Sequence, residues 1–163
     1  MEISMSQELK RLMKLVHARR CWGDEPAPEL LEQIEAEKRR NRPSRELRDT
    51  VVTLRQDWAK ASVSQRRNKH IFFLGSVYEQ ACKWRRLKRQ DDLDAGLKKF
   101  FDIDQDRDIF QSLLITVCGD QIDRKIRYRW VACLRTIERH KTPEDLGAAQ
   151  IIRLGGINRC AAR

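Results

Sequence analysis

The sequence predicts an all-α protein, folded as a single helical bundle of about seven to eight helices. Charged residues make up 36% of the 163 residues, while glycine and proline number only seven and four, and this composition favours helices. Apolar residues recur every three to four positions, which is the period of an amphipathic helix. Because 40% of the residues are apolar, the chain can build a core. We therefore expect one domain over residues 1–163, with possible sub-modules at 1–60, 61–121 and 122–163.

Three helices are predicted in the N-terminal sub-module. The first ends at Gly23 and the prolines that follow it. Its apolar residues share one face: Leu9, Leu12, Met13 and Val16. A short, highly charged second helix spans residues 29–40. The third begins after Pro43, and its apolar residues form one stripe: Leu47, Val51, Leu54 and Trp58.

The fourth predicted helix changes character along its length. It begins near Ser62 or Ser64, either of which can cap it. Its first half is apolar over a wide arc and should lie at the centre of the core, whereas its second half, up to Leu87, is basic. Acidic residues then dominate 91–108, where a short helix is expected, and Asp104 or Asp106 can cap the helix after it.

Two further helices are predicted near the C-terminus. The first has a strong apolar stripe: Ile122, Ile126, Trp130, Leu134 and Ile137. Thr142 is then expected to cap a last helix over 146–154, which Gly155 and Gly156 end. Across the whole chain, eight large side chains are expected to be buried: Leu54, Trp58, Phe73, Val77, Phe110, Leu114, Trp130 and Leu134.

Positive charge is the strongest functional signal in the chain. The net charge is +10, and residues 61–90 contain eight Lys or Arg against Glu79 alone, a local charge of +7. Basic residues interleaved with aromatics are typical of surfaces that bind nucleic acid. A second basic set lies opposite the apolar stripe that begins at Ile122. The candidate phosphate-contacting residues are Arg66, Arg67, Lys69, Lys83, Arg85, Arg86, Lys88, Arg89, Arg124, Lys125, Arg127 and Arg129.

The segment 57–71, DWAKASVSQRRNKHI, resembles the bacterial helix-turn-helix pattern. Ala59 matches the alanine that packs on the first helix, and Val63-Ser64 matches the end of the turn. The resemblance implies a recognition helix whose polar residues face bases and phosphates: Gln65, Arg66, Arg67 and Lys69. The segment departs from the pattern in a shorter turn, in Ser62 where glycine is usual, and in Asn68 where an apolar residue normally packs.

No catalytic, cofactor or metal motif is found in the sequence, and we expect neither enzymatic activity nor a cofactor. The aspartates of 102–108 alternate like the start of a calcium loop, but Arg107 stands where that loop requires glycine. His17 with Cys21, and Cys133 with His140, have spacings that could place ligands on one helix face, but no C-x-x-C pair accompanies them. The cysteines are odd in number and widely spaced, which predicts reduced thiols.

Together these patterns favour a non-enzymatic nucleic-acid-binding accessory protein, or a small subunit of a nucleoprotein complex, that contacts phosphates of DNA or RNA through a basic helix. Two alternatives are a protein-binding adaptor or inhibitor that uses the basic and acidic segments, and a helix-turn-helix transcriptional regulator. One continuous basic groove would favour nucleic acid, whereas acidic residues that cover the basic ones would favour the adaptor. The N-terminus has no apolar run of signal-peptide length, so we expect a cytoplasmic protein with no membrane partner.

Overall fold

The computed structural model describes residues 7–22, 25–40, 43–101 and 108–163. Within these ranges every regular element is helical and no β-strand is present, so the all-α prediction is confirmed. Eight of the nine α-helices in the described ranges have seven residues or more, close to the number that the sequence predicts. The helices are α1 Gln7–Cys21, α2 Pro28–Arg40, α3 Arg45–Val63, α4 Lys69–Arg86, α5 Gln90–Phe101, α6 Ile109–Cys118, α7 Arg124–Arg139, α8 Gly147–Arg153 and α9 Ile157–Ala161. Two 3-10 turns, Gly119–Gln121 and Glu144–Leu146, precede α7 and α8.

The chain divides into two compact units, Met1–Ser44 and Arg45–Arg163. In the first unit α1 packs on α2. The small core of this pair consists of Leu9, Leu12 and Ile34, with Val16 and Leu30 partly buried against it. The prediction of a single domain, with its three sub-modules, stays a prediction.

Helix α4 is the central element of the second unit. It packs on α3, α6 and α8, and its apolar arc is wide enough to contact all three. All eight side chains that the sequence marks as core are buried. Ile126 differs from the predicted stripe of α7, because its side chain is 40% exposed.

Helices α4 and α8 approach each other closely because small residues lie at their contact. A Cβ atom on Gly75 would meet the Cβ of Ala148 at 2.8 Å, and one on Gly147 would meet the Tyr78 ring at 2.9 Å. The hydroxyl of buried Tyr78 donates to the carbonyl oxygen of Thr142 at 2.7 Å. Burial also raises the pKa of this phenol, so Tyr78 stays neutral and anchors the loop before α8.

The helix ends differ from the sequence prediction at several places. Helix α4 begins at Lys69 rather than near Ser62 or Ser64, because both hydroxyls bond locally instead. Ser62 Oγ donates to the Ala59 carbonyl oxygen at 2.8 Å, and Ser64 Oγ accepts from the Arg66 N–H at 3.2 Å. Residues 64–68 therefore form a loop between α3 and α4.

The ends of the later helices also differ from those that the sequence predicts. Asp104 and Asp106 lie outside the described residues, and Asp108 caps α6 by accepting from the Phe110 N–H at 2.7 Å. Thr142 is buried and does not cap a helix, since a 3-10 turn preceded by Pro143 comes before α8. Gly155 and Gly156 do end α8, both with φ of 91°, but the short helix α9 follows them.

Among the described residues, no helix is both long enough and apolar enough to cross a membrane.

Candidate nucleic-acid interface

The basic run 83–89 lies at the C-terminal end of α4 and in the turn that leads to α5. Lys83 and Lys88 are exposed and have no carboxylate partner among the described residues. The three arginines are ion-paired within the protein: Arg85 with Glu138, Arg86 with Glu144 at 2.6 Å, and Arg89 with Glu46 at 2.5 Å and with Asp92 at 2.9 Å. Five cations therefore share this surface with four carboxylates, and most of the local charge is neutralised.

These ion pairs give the run a structural role. They connect the end of α4 to α3, to α7 and to the turn before α8. The three arginine side chains are between 39% and 65% exposed, and an exposed pair contributes only about 0–1 kcal/mol. Cations at the C-terminal end of a helix also complement its dipole. A phosphate could displace the carboxylates, but it would replace existing contacts rather than add new ones.

The N-terminal half of α7 presents a different charge pattern. The helix has six basic residues and Glu138 as its one acidic residue, a charge of +5. Arg124, Lys125 and Arg129 are exposed and have no carboxylate partner in the part of the chain that the structure describes. Basic residues in the first turn of a helix oppose its dipole. Asp123 offsets part of this cost, because its side chain caps the helix by accepting from the Lys125 N–H at 2.6 Å.

Two other arginines on α7 are engaged in holding the fold. Arg127 donates from Nη2 to the carbonyl oxygen of Gly119 at 2.7 Å and, more weakly, to that of Ile122 at 3.4 Å. It therefore fixes the turn before α7 and is the least available of the predicted residues there. Arg135 pairs with Asp108 at 2.9 Å, so this residue of the acidic segment covers one end of the basic face.

A depression of about 670 Å³ lies along α7, between that helix and the region of α6. Tyr128, which is 64% exposed, lines it. The other lining residues are Gln111, Asp120, Ile122, Arg124, Arg127, Val131, Ala132 and Arg135. The depression thus combines an exposed aromatic ring with three arginines and a single unpaired carboxylate, that of Asp120.

Two more depressions are lined by residues of the loop between α3 and α4. One, of about 550 Å³, brings Arg67 together with Arg129 and is also lined by Trp130, Gly156 and Asn158. The other, of about 230 Å³, brings together a second set: Lys60, Arg66, Lys69 and Phe72. The structure therefore joins Arg67 of the loop to α7. The run 83–89 begins towards the far end of α4, and its helical part lies about 21–26 Å along the axis from Lys69 at 1.5 Å per residue.

His70 lies at the floor of the depression that contains Arg67 and Arg129. Its ring is 5.9 Å from that of Trp58 and 5.3 Å from that of Trp130, between ring centroids. Burial, and secondarily the charge of Lys69, lowers the pKa of His70. Its Nδ1 has no hydrogen-bond partner. The imidazole is thus a neutral member of an aromatic cluster rather than an additional cation.

The geometry does not support the helix-turn-helix hypothesis. Gln65, Arg66 and Arg67 lie in the loop before α4 and not on a helix. Helix α4 itself packs against three other helices and leaves one side exposed, with Phe72, Glu79 and Lys83 on it. The basic loop remains exposed, but it presents its side chains from irregular backbone.

No three His, Cys, Asp or Glu side chains converge as metal ligands within the described ranges. Cys21 Sγ lies 3.7 Å from His17 Nε2, but no third ligand from the described residues joins them. Asp102, Asp104 and Asp106 of the calcium-like pattern lie outside the described residues. All five cysteines are free thiols, and burial raises the pKa of Cys118 to about 12.

No protein-family model, curated protein or solved structure matches this chain. Tyr128 is absent from the site residues predicted from the sequence. The sequence does contain a signal for it, because Tyr128 is an aromatic residue among cations and lies outside the apolar stripe of α7. Three aromatics of residues 61–90, Phe73, Tyr78 and Trp84, are buried in the core, as the sequence predicts for Phe73.

Proposed function

We propose that this protein binds nucleic acid without catalysing a reaction, as an accessory protein or as a small subunit of a nucleoprotein complex. Its contacts are mainly to phosphates, which carry affinity rather than sequence information. The surface consists of the loop residues Arg66 and Arg67 and the exposed cations of α7, Arg124, Lys125 and Arg129. We call these five residues the α7 face.

The observation that carries this proposal is the unpaired positive charge at the N-terminal end of α7. Cations at that end oppose the helix dipole and gain no carboxylate partner among the described residues, so folding does not account for them. Local rules are most often broken at functional sites. Folding does account for the cations of the run 83–89, because they complement the dipole at the C-terminal end of α4 and three of them form ion pairs.

The adaptor alternative receives less support from the charge pattern. Three described carboxylates of the acidic segment are already engaged inside the protein, since Asp92 pairs with Arg89, Asp94 with Lys98 and Asp108 with Arg135. None of the three pairs with a cation of the α7 face. Within the described part of the acidic segment, the carboxylates therefore neutralise the end of α4 and one end of α7, and none of them pairs with the α7 face.

Two variants that remove equal charge test the proposal. The first replaces the five residues of the α7 face by Gln, and the second replaces Lys83, Arg85, Arg86, Lys88 and Arg89 by Gln. Fluorescence anisotropy with labelled single- and double-stranded DNA and RNA, at several salt concentrations, gives affinity and its salt slope. If all five contact phosphates, the first variant should lower the slope by roughly 3.5–4.5 units, about 0.7–0.9 per contact.

The second variant is the matched control. It should lower the slope by at most about two units, because only Lys83 and Lys88 lack a carboxylate partner in the described chain. Circular dichroism should show both variants folded. A larger loss in the control than in the first variant would move the interface to the end of α4. No binding by the wild type at low salt would reject the proposed function and favour the adaptor.

A further inference from the structure

We propose that the nucleic acid is single-stranded and that an unpaired base stacks on Tyr128. This inference rests on the proposed function, and it adds the class of partner. Phosphate contacts alone do not distinguish a duplex from a single strand. Exposed aromatic rings do, because the faces of bases are available for stacking only when a strand is unpaired.

Tyr128 is placed for stacking by its position on α7. It follows Arg124 by four residues and precedes Arg135 by seven, so all three lie on one side of the helix. The ring is 64% exposed and belongs to a depression of about 670 Å³, a volume within the range of sites that hold small organic molecules. Single exposed aromatics are common on proteins. Tyr128 differs from these because its ring lies in a concave surface lined by three arginines.

A second depression repeats the same combination. Phe72 is 54% exposed and lines the depression that also holds Lys60, Arg66 and Lys69, together with Asp57, which pairs with Lys60 at 3.6 Å. Phe73 lines the same depression but is buried in the core. Two aromatic rings, each beside cations in a concavity, form the pattern of a surface that binds single strands through stacking and phosphate contacts.

Residues that are adjacent in the chain line different depressions. Tyr128 lines the first and Arg129 the second; Arg67 also lines the second and Arg66 the third. Successive residues of a helix point about 100° apart, so the first two depressions open on different sides of α7. Only a strand with unpaired bases can offer a base face to either ring, because the bases of a duplex are already paired and stacked.

The experiment compares wild type, Tyr128→Ala and Tyr128→Phe by anisotropy on labelled 12-nucleotide strands and on the corresponding duplexes. The wild type should bind the single strand more tightly than the duplex. Tyr128→Ala should weaken single-strand binding by roughly fivefold or more and leave the salt slope unchanged, because the ring contacts no phosphate. Tyr128→Phe keeps the ring and should bind like the wild type. DNA and RNA strands of one sequence show which sugar the surface prefers.

A strand of abasic sites serves as the control ligand. It retains phosphates but offers nothing to stack, so Tyr128→Ala and wild type should bind it equally. Tighter binding of the duplex, or unchanged single-strand affinity in Tyr128→Ala, would overturn this inference and leave the phosphate-binding function standing. Absence of binding to every nucleic acid would instead reject the function itself, and the inference with it.

Discussion

Replacing Gly75 by alanine should destabilise the unit formed by residues 45–163. Gly75 lies inside α4, where alanine would normally be favoured over glycine by about 1 kcal/mol. Here the new Cβ would lie 2.8 Å from the Cβ of Ala148 and 3.1 Å from its backbone nitrogen. Carbon atoms in contact are normally about 3.5–4.0 Å apart, so α4 and α8 must separate by close to 1 Å.

The size of the effect follows from what has to move. Overpacking a core costs typically about 1–3 kcal/mol. The upper part applies because the opposing atoms are the Cβ, N and Cα of Ala148, which cannot move without the backbone of α8. After the gain in helix propensity, the net loss should be about 1–2 kcal/mol. For a unit of this size that corresponds to a fall in Tm of roughly 4–10 °C.

Gly96→Ala is the matched control. Its Cβ would meet Leu47 Cδ2 at 2.6 Å, but the next nearest atom is 3.7 Å away and also belongs to the Leu47 side chain. A side-chain tip can turn aside, so this variant should stay within about 1 kcal/mol of the wild type. The free energies of unfolding should be measured by urea denaturation followed by circular dichroism, with Tm as a second measure.

Ala148→Gly provides a second check on the same contact. In the wild type it should cost about 1 kcal/mol of helix propensity. In the Gly75→Ala background it removes the opposing Cβ, so it should cost less or restore stability. The four proteins form a double-mutant cycle. A Gly75→Ala variant as stable as the wild type, or a cycle without coupling, would refute the close approach of α4 and α8.

Two further predictions concern titration and thiol reactivity. Burial lowers the pKa of His70 in the folded state, so the unfolded chain binds more protons as the pH falls through about 6.5. Stability should therefore decrease with pH in that range. The variant His70→Asn should show a smaller decrease when the free energy of unfolding is measured by urea denaturation. A thiol reagent should modify exposed Cys21 rapidly and buried Cys118, Cys133 and Cys160 only on unfolding. The variant Cys21→Ser should abolish the fast phase of modification. Rapid modification of the buried thiols in the native protein would contradict their placement.

Sequence periodicity was sufficient to determine the fold class and the buried faces of most helices. Apolar residues at intervals of three and four must share one side of a helix, and a helix in water buries that side. Leu54, Trp58 and Leu134 were identified on this basis and are buried. Cap positions were less predictable, because several nearby Ser, Thr or Asp residues can serve equally well and local hydrogen bonds choose among them.

The sequence did not predict which of its basic residues are neutralised in the fold. The sequence placed Arg124 and Arg129 opposite an apolar stripe, but it gave more weight to the run 83–89, where cations are densest. The carboxylates that neutralise this run in the fold, apart from Asp92, come from 43 to 58 residues away along the chain. Charge counted along a sequence therefore overestimates charge on a surface when distant partners return to it.

The sequence by itself determined that this protein is helical, which faces of its helices are apolar, and that its excess charge suits a polyanion. Only the tertiary structure decided which cations remain unpaired. It joined Arg67 to Arg129 in one depression, and it left Tyr128 exposed beside Arg124. The physical reason is that helix formation depends on residues three or four positions apart, whereas a surface is assembled by packing between helices that are distant in the chain.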